Sequence, residues 1–288
     1  MHDAEAGRIE LLGDLDRPGA WMLLAGGVPQ SHVDLGDPLH LELEYMRRLG
    51  HLADLAAPPS VPLRVLHLGG GGLTLARYVA ATRPGSVQLA IESDPEVAEI
   101  VRQRLPLAQP PGLAGTGLAG TGLAGTGRID VRVGDARAAL GDLPAEGFDL
   151  VVADVFTAGQ TPAHVTSLEF TRAAARVLAP SGLFAVNVGD GPPLEHARRR
   201  LATLRSVFAH VCVIAEPAVW RGRRFGNLVV AAARQRLPVQ ELSRRAAADP
   251  FPARVVGGAA LGRFVAGAAP ITDADAEPSP VPPPGALT

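Results

Sequence analysis

Short, continuously apolar runs alternate with longer segments whose apolar residues recur at helical spacing from residue 64 to about residue 235. Runs of this kind are typical of parallel strands that are buried on both faces and connected by helices. The strands are predicted at 64–68, 87–91, 129–133, 148–153, 182–188, 210–215 and 226–232, and the helices at 73–82, 95–104, 136–140, 167–178 and 193–207. The last two strands have no long helix between them, which predicts an antiparallel edge. We therefore expect an α/β fold with a doubly wound, mostly parallel sheet.

The segments on either side of this core have different patterns. Residues 8–35 alternate short apolar segments with Gly, Asp and Pro, which predicts a small antiparallel β unit. Apolar residues recur at helical spacing from Leu39 to His51, after the dipeptide Asp37-Pro38, and predict a helix. The chain is thus divided into a small N-terminal β unit (1–36), an α/β domain (37–235), a C-terminal helical extension (236–273) and a tail (274–288). The tail is rich in Pro, Ala and Gly, so we expect it to be disordered.

A short repeat interrupts the α/β domain. Three identical Gly-Leu-Ala-Gly-Thr pentapeptides follow one another between residues 112 and 126. A period this short, with glycine twice in each unit, matches no solenoid, and the repeat stands between a predicted helix and the next strand. We therefore predict a flexible surface insertion over residues 112–127.

Composition and charge exclude several kinds of function. The formal net charge is −2 without a run of like charges, so neither nucleic-acid binding nor a basic membrane patch is expected. All 27 cationic side chains are arginine, which excludes Schiff-base chemistry and a lysine general base. The lone Cys212 cannot form an intrachain disulfide, and the histidines lack metal-ligand spacing, so no metal is expected. The chain has no signal-peptide pattern and no apolar run near the roughly 18 residues that span a bilayer, so we expect a soluble, cytoplasmic protein.

The candidate chemistry begins at the first strand of the core. Val65–Gly72 is an apolar strand that leads directly into four glycines, and Glu92 ends the following strand. Glycines at such a turn let the backbone approach a ligand, while the acid can hold ribose hydroxyls. Asp135 and Asp154 end the next two strands, and ligands of open α/β sheets bind at these carboxyl ends. The three acids together predict one nucleoside-binding crevice.

The spacing of the glycines argues against a dinucleotide. If Gly70 and Gly72 began a GxGxxG motif, its third glycine would fall on Leu75, which is too bulky for close helix packing. An aspartate at the position of Asp135 also suits the amino group of one adenine better than a second nucleotide. The pattern therefore favours an adenosyl sulfonium ligand.

At this point the sequence resembles the spermidine synthase group of aminopropyltransferases, which share the fold of class I S-adenosylmethionine-dependent methyltransferases. The resemblance covers residues 20 to 232 and rests on the order and spacing of several motifs. These are Leu24–Gln30, the glycine loop Gly69–Gly71, Ala90–Val97, Val133–Ala136, Phe148–Asp154 and Leu178–Leu183. It implies a Rossmann-like sheet, a decarboxylated S-adenosylmethionine or S-adenosylmethionine co-substrate, a small-molecule acceptor such as an amine, and a homodimer.

The resemblance also assigns roles to individual residues. The donor nucleoside would be bound by Gln30, Gly69, Gly70, Gly71, Glu92, Ser93, Asp135 and Ala136. Asp154 would lie between the donor and the acceptor amine. An acceptor arrives as an ammonium ion, so a carboxylate must remove a proton before the nitrogen attacks, and Asp154 is the candidate base.

The sequence departs from the family at several positions. Gly72 stands where the family has an aspartate that meets the donor amine, and Thr157 and Ala158 replace an Asp-Pro pair. Leu41 stands where a tyrosine is expected, although Glu42 or Glu44 could substitute for nearby polar groups. The half of the site that grips the nucleoside is retained, whereas the half that recognises a diamine is largely missing. Loss of these carboxylates makes a diamine such as putrescine a doubtful acceptor, because a buried ammonium needs a partner.

Three functions therefore stay open. The first is an aminopropyltransferase that acts on an amine, with Asp154 as base or cation-stabilising carboxylate. The second is a methyltransferase for a small non-polyamine acceptor, because a glycine at position 72 tolerates the carboxylate of intact S-adenosylmethionine. The third is a nucleoside-binding homologue that has lost turnover.

Overall fold

A computed structural model describes residues 8–107 and 127–286 of the chain. The first three strands form a small antiparallel sheet in the order β1-β2-β3. Their bounds are β1 Ile9–Gly13, β2 Ala20–Ala25 and β3 Val28–Asp34. The predicted N-terminal β unit is therefore present.

The remaining strands form one eight-stranded sheet in the order β11-β9-β10-β8-β7-β4-β5-β6. Their bounds are β4 Arg64–Leu68, β5 Val87–Glu92, β6 Arg128–Val133, β7 Phe148–Ala153, β8 Leu178–Asp190, β9 His210–Ala215, β10 Gly226–Ala233 and β11 Arg254–Gly257. Neighbours from β6 to β8 are parallel, whereas β10 is antiparallel to both β8 and β9. The predicted mostly parallel sheet with an antiparallel edge is confirmed.

Helices cover both faces of this sheet. They are α1 Glu44–Leu55, α2 Thr74–Thr82, α3 Pro95–Arg104, α4 Ala136–Asp142, α5 Leu168–Val177, α6 Glu195–Val207, α7 Pro217–Trp220, α8 Val239–Ala248 and α9 Gly258–Phe264. One core lies between the sheet and α4, α5, α6 and α9, and a second lies between the sheet and α1, α2 and α8. A third cluster packs Leu23 and Val33 of the small sheet against α2 and α3. Burial on both strand faces explains the continuously apolar strands.

Several elements differ from the sequence prediction. Strand β8 runs from Leu178 to Asp190 instead of over 182–188, and the short helix α7 between β9 and β10 was not predicted. The helix expected from Leu39 begins only at Glu44, because Asp37 accepts a hydrogen bond from the backbone of Leu39 and holds the preceding residues in turns. The predicted C-terminal helical extension (236–273) contains α8 and α9, and it also contains β11, which extends the sheet beyond β9. Four residues between turn formers give too short an apolar run to show the pattern of a strand.

The C-terminal tail also differs from the expectation of disorder. The structure describes it to residue 286, and Ser279 is fully buried. The backbone N–H of Ser279 donates to the carbonyl of Thr161, and the Ser279 hydroxyl accepts from the Thr161 N–H. Composition alone did not show these contacts, because they are made with a distant loop. The pentapeptide repeat lies outside the described residues, since 108–126 are not among them.

In the described ranges, no helix is long and apolar enough to cross a membrane.

Candidate active site

A cavity of about 1220 Å³ opens at the carboxyl ends of β4, β5 and β7. The small N-terminal sheet and the start of α1 form its opposite wall. Two hydrogen bonds connect the small sheet to the glycine turn and the start of α2. The Gly72 N–H donates to the hydroxyl of Ser31 over 3.0 Å, and the Thr74 hydroxyl donates to the carbonyl of His32 over 2.8 Å. The N-terminal unit is thereby fixed over the glycine turn.

Glu92 is held rigidly beside the glycine turn. One oxygen of its carboxylate accepts hydrogen bonds from the N–H groups of Gly70, at 3.1 Å, and Gly71, at 2.8 Å. The other oxygen accepts from the N–H of Asp94 at 2.9 Å. Charge-assisted bonds to backbone donors fix a carboxylate strongly. The acid that was expected to meet ribose is therefore preorganised at the wall of the cavity.

Gly69 brings the glycine turn into contact with the strand that bears Asp154. Its φ is +92°, and a Cβ atom there would lie 2.1 Å from the carbonyl oxygen of Asp154. Hydrogen bonds link Asp154 N–H to the carbonyl of Leu68 and Gly69 N–H to the carbonyl of Ile91. Only glycine satisfies both the backbone angle and the close approach. The close approach and the two hydrogen bonds place Asp154 beside the glycine turn.

Asp154 combines a candidate base with a buried environment. Its side chain lines the cavity, and desolvation raises its pKa to about 6, partly opposed by a hydrogen bond from the Nδ2 of Asn187 at 3.0 Å. Asn187 lies on β8 and is buried. A carboxyl group with a pKa near neutrality can accept a proton and release it again close to physiological pH.

Asp135 has a different setting from Glu92 and Asp154. It is the N-cap of α4, accepting from the N–H groups of Arg137 and Ala138, and its other oxygen lies 2.7 Å from Nε2 of His164. Burial opposes but does not outweigh these bonds, and the pKa of Asp135 is lowered. Neither Asp135 nor Ala136 is among the residues that line the cavity. The structure thus brings two of the three predicted acids together, and the third is an exposed cap.

The other residues predicted to bind the donor do line the cavity. Gln30 of β3 and Ser93, directly after Glu92, both contribute to its wall. Tyr45 of α1 lines it as well, and its hydroxyl donates to the carbonyl of Gln30 at 3.3 Å. Burial raises the pKa of Tyr45 well above its usual value, so the phenol stays protonated. Tyr45 provides an aromatic hydroxyl four residues after Leu41, which is itself buried in the core.

A second group of carboxylates surrounds another part of the cavity. Glu42, Glu44 and Glu216 line it together with Asn227 and Arg224. Arg224 forms an ion pair with Glu216 at 2.7 Å, and Asn227 donates to Glu44 at 3.4 Å. The arginine of the turn before β10 is therefore paired with Glu216, Glu42 lies 2.9 Å from Nε2 of His40, and Glu44 is a further carboxylate at the wall.

Position 72 cannot carry the acid that the family pattern places there. A Cβ atom on Gly72 would lie 2.5 Å from Cγ2 of Val33 and 3.0 Å from Cβ of Ser31. Both contacts are far inside ordinary van der Waals distance, and β3 would have to move to admit a side chain. The packing of the small sheet against the glycine turn therefore explains why position 72 has a glycine in place of the family's aspartate.

Several residues of the site had no clear signal in the sequence. Asn187 is one polar residue inside a long apolar strand, and Glu216 follows β9 without a motif. Tyr45 was not predicted, because the sequence does not define how the segment after Asp37 aligns with the family pattern. Only the three-dimensional neighbourhood of Asp154 and Gln30 identifies these residues.

The residues of 8–107 and 127–286 contain no group of three or more His, Cys, Asp or Glu side chains that could hold a metal ion.

Comparisons with known proteins agree with this architecture. No family model matches the chain. The solved structure of a probable spermidine synthase from Corynebacterium glutamicum is 33% identical, with a TM-score of 0.80 over 92% of each chain. A polyamine aminopropyltransferase of Chromobacterium violaceum is 27% identical over 207 residues, 72% of this chain and 69% of that protein. One from Vibrio vulnificus is 28% identical over 193 residues, so the match spans 66% of this chain and 56% of that protein.

The eight-stranded sheet, with the cavity at its carboxyl edge, defines an α/β fold of the class I methyltransferase type, and a small antiparallel sheet precedes it. The extent of the likeness to the Corynebacterium glutamicum structure narrows the assignment further. The chain belongs to the spermidine synthase-like family of transferases.

Proposed function

We propose that this chain is an aminopropyltransferase that binds decarboxylated S-adenosylmethionine and transfers its aminopropyl group to a small amine. The observation that carries the proposal is the placement of Glu92 and Asp154 in one cavity, with Glu92 fixed by three backbone N–H groups and Asp154 raised in pKa to about 6. The first residue suits a ribose, and the second suits proton transfer.

The charge of the cavity supports a cationic donor and a cationic acceptor. Its acidic lining residues are Glu42, Glu44, Glu92, Asp94, Glu96, Asp154 and Glu216. Among the cations near them, Arg224 lines the cavity and is paired with Glu216, and the buried Arg48 lies 3.6 Å from the same carboxylate. Decarboxylated S-adenosylmethionine bears a sulfonium and an ammonium without a carboxylate. Carboxylates around these groups favour its binding over that of a donor with an added negative charge.

Asp154 has the properties that the proposed reaction needs. It takes one proton from the ammonium of the acceptor, and the freed nitrogen lone pair attacks the methylene carbon next to the sulfonium. The bond between that carbon and sulfur breaks, its electron pair returns to sulfur, and neutral methylthioadenosine leaves with a protonated secondary amine as the second product. The hydrogen bond from Asn187 orients the carboxylate for the proton transfer.

The acceptor is recognised by carboxylates other than those typical of the family. Thr157 and Ala158 carry no charge, but Glu42 and Glu44 line the same cavity from the start of α1. An ammonium group at the far end of the acceptor can pair with them. The family's missing acids are thus replaced by acids from a different element, and an amine acceptor is retained in the proposal.

The test is turnover with decarboxylated S-adenosylmethionine and putrescine, followed by mass spectrometry of the products. We expect an aminopropylated amine and methylthioadenosine, and an activity whose kcat/KM falls as the pH drops below about 6, because protonated Asp154 cannot accept a proton. Asp154→Asn should abolish turnover, whereas Asp142→Asn, an exposed residue at the end of α4, should not change it. Turnover by Asp154→Asn at the wild-type rate would contradict the proposal.

A second candidate is a methyltransferase that uses intact S-adenosylmethionine. It is favoured by the absence of an acid at position 72, because an aspartate there would repel the carboxylate of that donor. The same mass spectrometry separates the two candidates, since a methyl group in place of an aminopropyl group on the acceptor would support the second.

A further inference from the structure

The end of the chain is attached to the body at several places. We call residues 271–286 the C-terminal strap. Its first anchor is Ile271, whose N–H donates to the Thr203 hydroxyl and whose carbonyl accepts from the N–H of Leu168, each at 2.8 Å. Two ion pairs follow, one from Arg137 to Asp273 and one from Arg199 to Asp275. The strap is therefore attached to α4, α5 and α6.

The strap next contacts the segment that follows Asp154. We call residues 155–161 the β7 loop. Ser279 is fully buried, and it exchanges hydrogen bonds with Thr161: its N–H donates to the Thr161 carbonyl, and its hydroxyl accepts from the Thr161 N–H at 2.8 Å. The side chain of Gln160 also donates to the carbonyl of Ser279. Three hydrogen bonds thus hold one end of the β7 loop against a single strap residue.

The strap then continues to the cavity. Pro282 packs on Gly159, where a Cβ atom would lie 3.0 Å from its Cγ. Ala286 lines the cavity, as do Phe156, Thr157, Ala158 and Gly159 of the β7 loop. The β7 loop and the end of the strap therefore both contribute to the wall of the cavity that contains Asp154.

We propose that the C-terminal strap positions the β7 loop and forms part of the wall of the acceptor site, with Ser279 as the main positioning residue. The β7 loop carries no charged side chain to attract an acceptor. The loop therefore contributes to the site through the shape of the cavity wall. That shape is kept only if the loop has a fixed position. Hydrogen bonds to a buried serine and packing against a proline supply that constraint. The strap then determines the size of acceptor that fits beside Asp154, a part of the inference that rests on the function proposed above.

The experiment compares three variants with the full chain. Ser279→Ala removes the hydroxyl that accepts from Thr161, and a chain that ends at Glu277 removes the second half of the strap but keeps its anchors at Ile271, Asp273 and Asp275. Val281→Ala is the matched control, because Val281 belongs to the strap but is 68% exposed. Hydrogen exchange of the Thr161 amide is measured without any substrate, and the KM values for putrescine and for decarboxylated S-adenosylmethionine are measured separately.

We expect Ser279→Ala and the shortened chain to exchange the Thr161 amide about tenfold faster or more, since a lost hydrogen bond of ordinary strength corresponds to about that factor. The KM for putrescine should rise by a similar factor of about ten, while that for the nucleoside donor changes less than about twofold. Val281→Ala should match the full chain in both measurements.

Two results would overturn the proposal. Exchange at Thr161 that is unchanged in both Ser279→Ala and the shortened chain would show that the strap does not hold the loop. Faster exchange with unchanged KM for putrescine in an active enzyme would show that the loop does not shape the acceptor site. If the full chain itself shows no turnover, the function proposed above fails, whereas the exchange data still decide whether the strap positions the loop.

Discussion

At the residue scale, the burial that raises the pKa of Asp154 suits its proposed role as a base, and it also lowers the stability of the fold at neutral pH. Its carboxylate accepts a hydrogen bond from Asn187, but burial disfavours its charged form and raises its pKa to about 6. The unfolded chain has an ordinary, lower aspartate pKa, so the folded state holds the proton more tightly. Stability from this group is present at acidic pH and is lost as the pH rises from about 4 through 6.

Asp154→Asn should therefore stabilise the fold at pH 7.5. Asparagine has no charge to bury, and the expected gain in the free energy of unfolding is about 1 to 3 kcal/mol. The gain should shrink toward pH 4.5, where wild-type Asp154 is itself protonated. Urea denaturation at the two pH values measures it.

Asp149→Asn provides the opposite control. Burial opposes ionisation of Asp149, yet its bonds with Arg64 outweigh burial and lower its pKa, so its loss should destabilise the protein at pH 7.5. An Asp154→Asn variant that is no more stable than the wild type at pH 7.5 would contradict the assigned environment of Asp154.

At the residue scale, the position of a side chain at the cavity could be predicted from sequence where the residue lies at the end of an apolar strand. Asp154 and Glu92 directly follow or end apolar strands, and the carboxyl ends of parallel strands meet at one edge. The expectation that Asp135 shares their cavity was not met, because its carboxylate is engaged as the cap of α4. Tyr45 and Asn187 escaped prediction, because their importance comes from partners that are distant in the chain.

At the scale of elements, α6 depends on a buried carboxylate that precedes it. Asp190 ends β8, and its two oxygens accept from the N–H groups of Gly191, at 2.8 Å, and Ala197, at 2.7 Å. Asp190 is buried and bonded to backbone, so its role is to fix the start of α6, the helix to which Thr203 and Arg199 belong.

Asp190→Ala should lower the free energy of unfolding by about 1 to 3 kcal/mol, because two backbone donors lose their acceptor in a buried place. Asp142→Ala, in an exposed position, should change it by less than about 0.5 kcal/mol. Thermal and chemical denaturation of both variants provide the measurement. An Asp190→Ala protein of wild-type stability with a raised KM for putrescine would instead make Asp190 part of the acceptor site.

Most elements of the sheet follow from local pattern, and the exceptions have tertiary causes. Strands β4, β7 and β9 agree with their predicted bounds, because apolar residues make up most of each strand. The short edge strand β11 is stabilised by pairing with β9, which no local pattern reveals. The C-terminal strap is held by hydrogen bonds to the β7 loop, so its Pro-rich composition gave a misleading expectation of disorder.

At the scale of the whole molecule, the two sheets have distinct roles. The large sheet supplies Glu92 and Asp154, and the small sheet supplies Gln30 and closes the cavity over the glycine turn. The packing of Val33 and Ser31 against Gly72 joins the sheets and excludes a side chain at that position. The cavity therefore exists only where both sheets are correctly assembled, which links folding of the N-terminal unit to function.

The central claim is that Glu92 and Asp154 face one nucleoside-binding cavity, and titration calorimetry with methylthioadenosine tests it most directly. The wild type should bind this probe. Glu92→Gln should weaken binding by about tenfold or more through loss of a charged hydrogen-bond acceptor, and Asp154→Asn should bind within about threefold of the wild type. The control is Glu99→Gln, an exposed acid on α3 that should have no effect. Undiminished affinity in Glu92→Gln, with its thermal stability unchanged, would contradict the account.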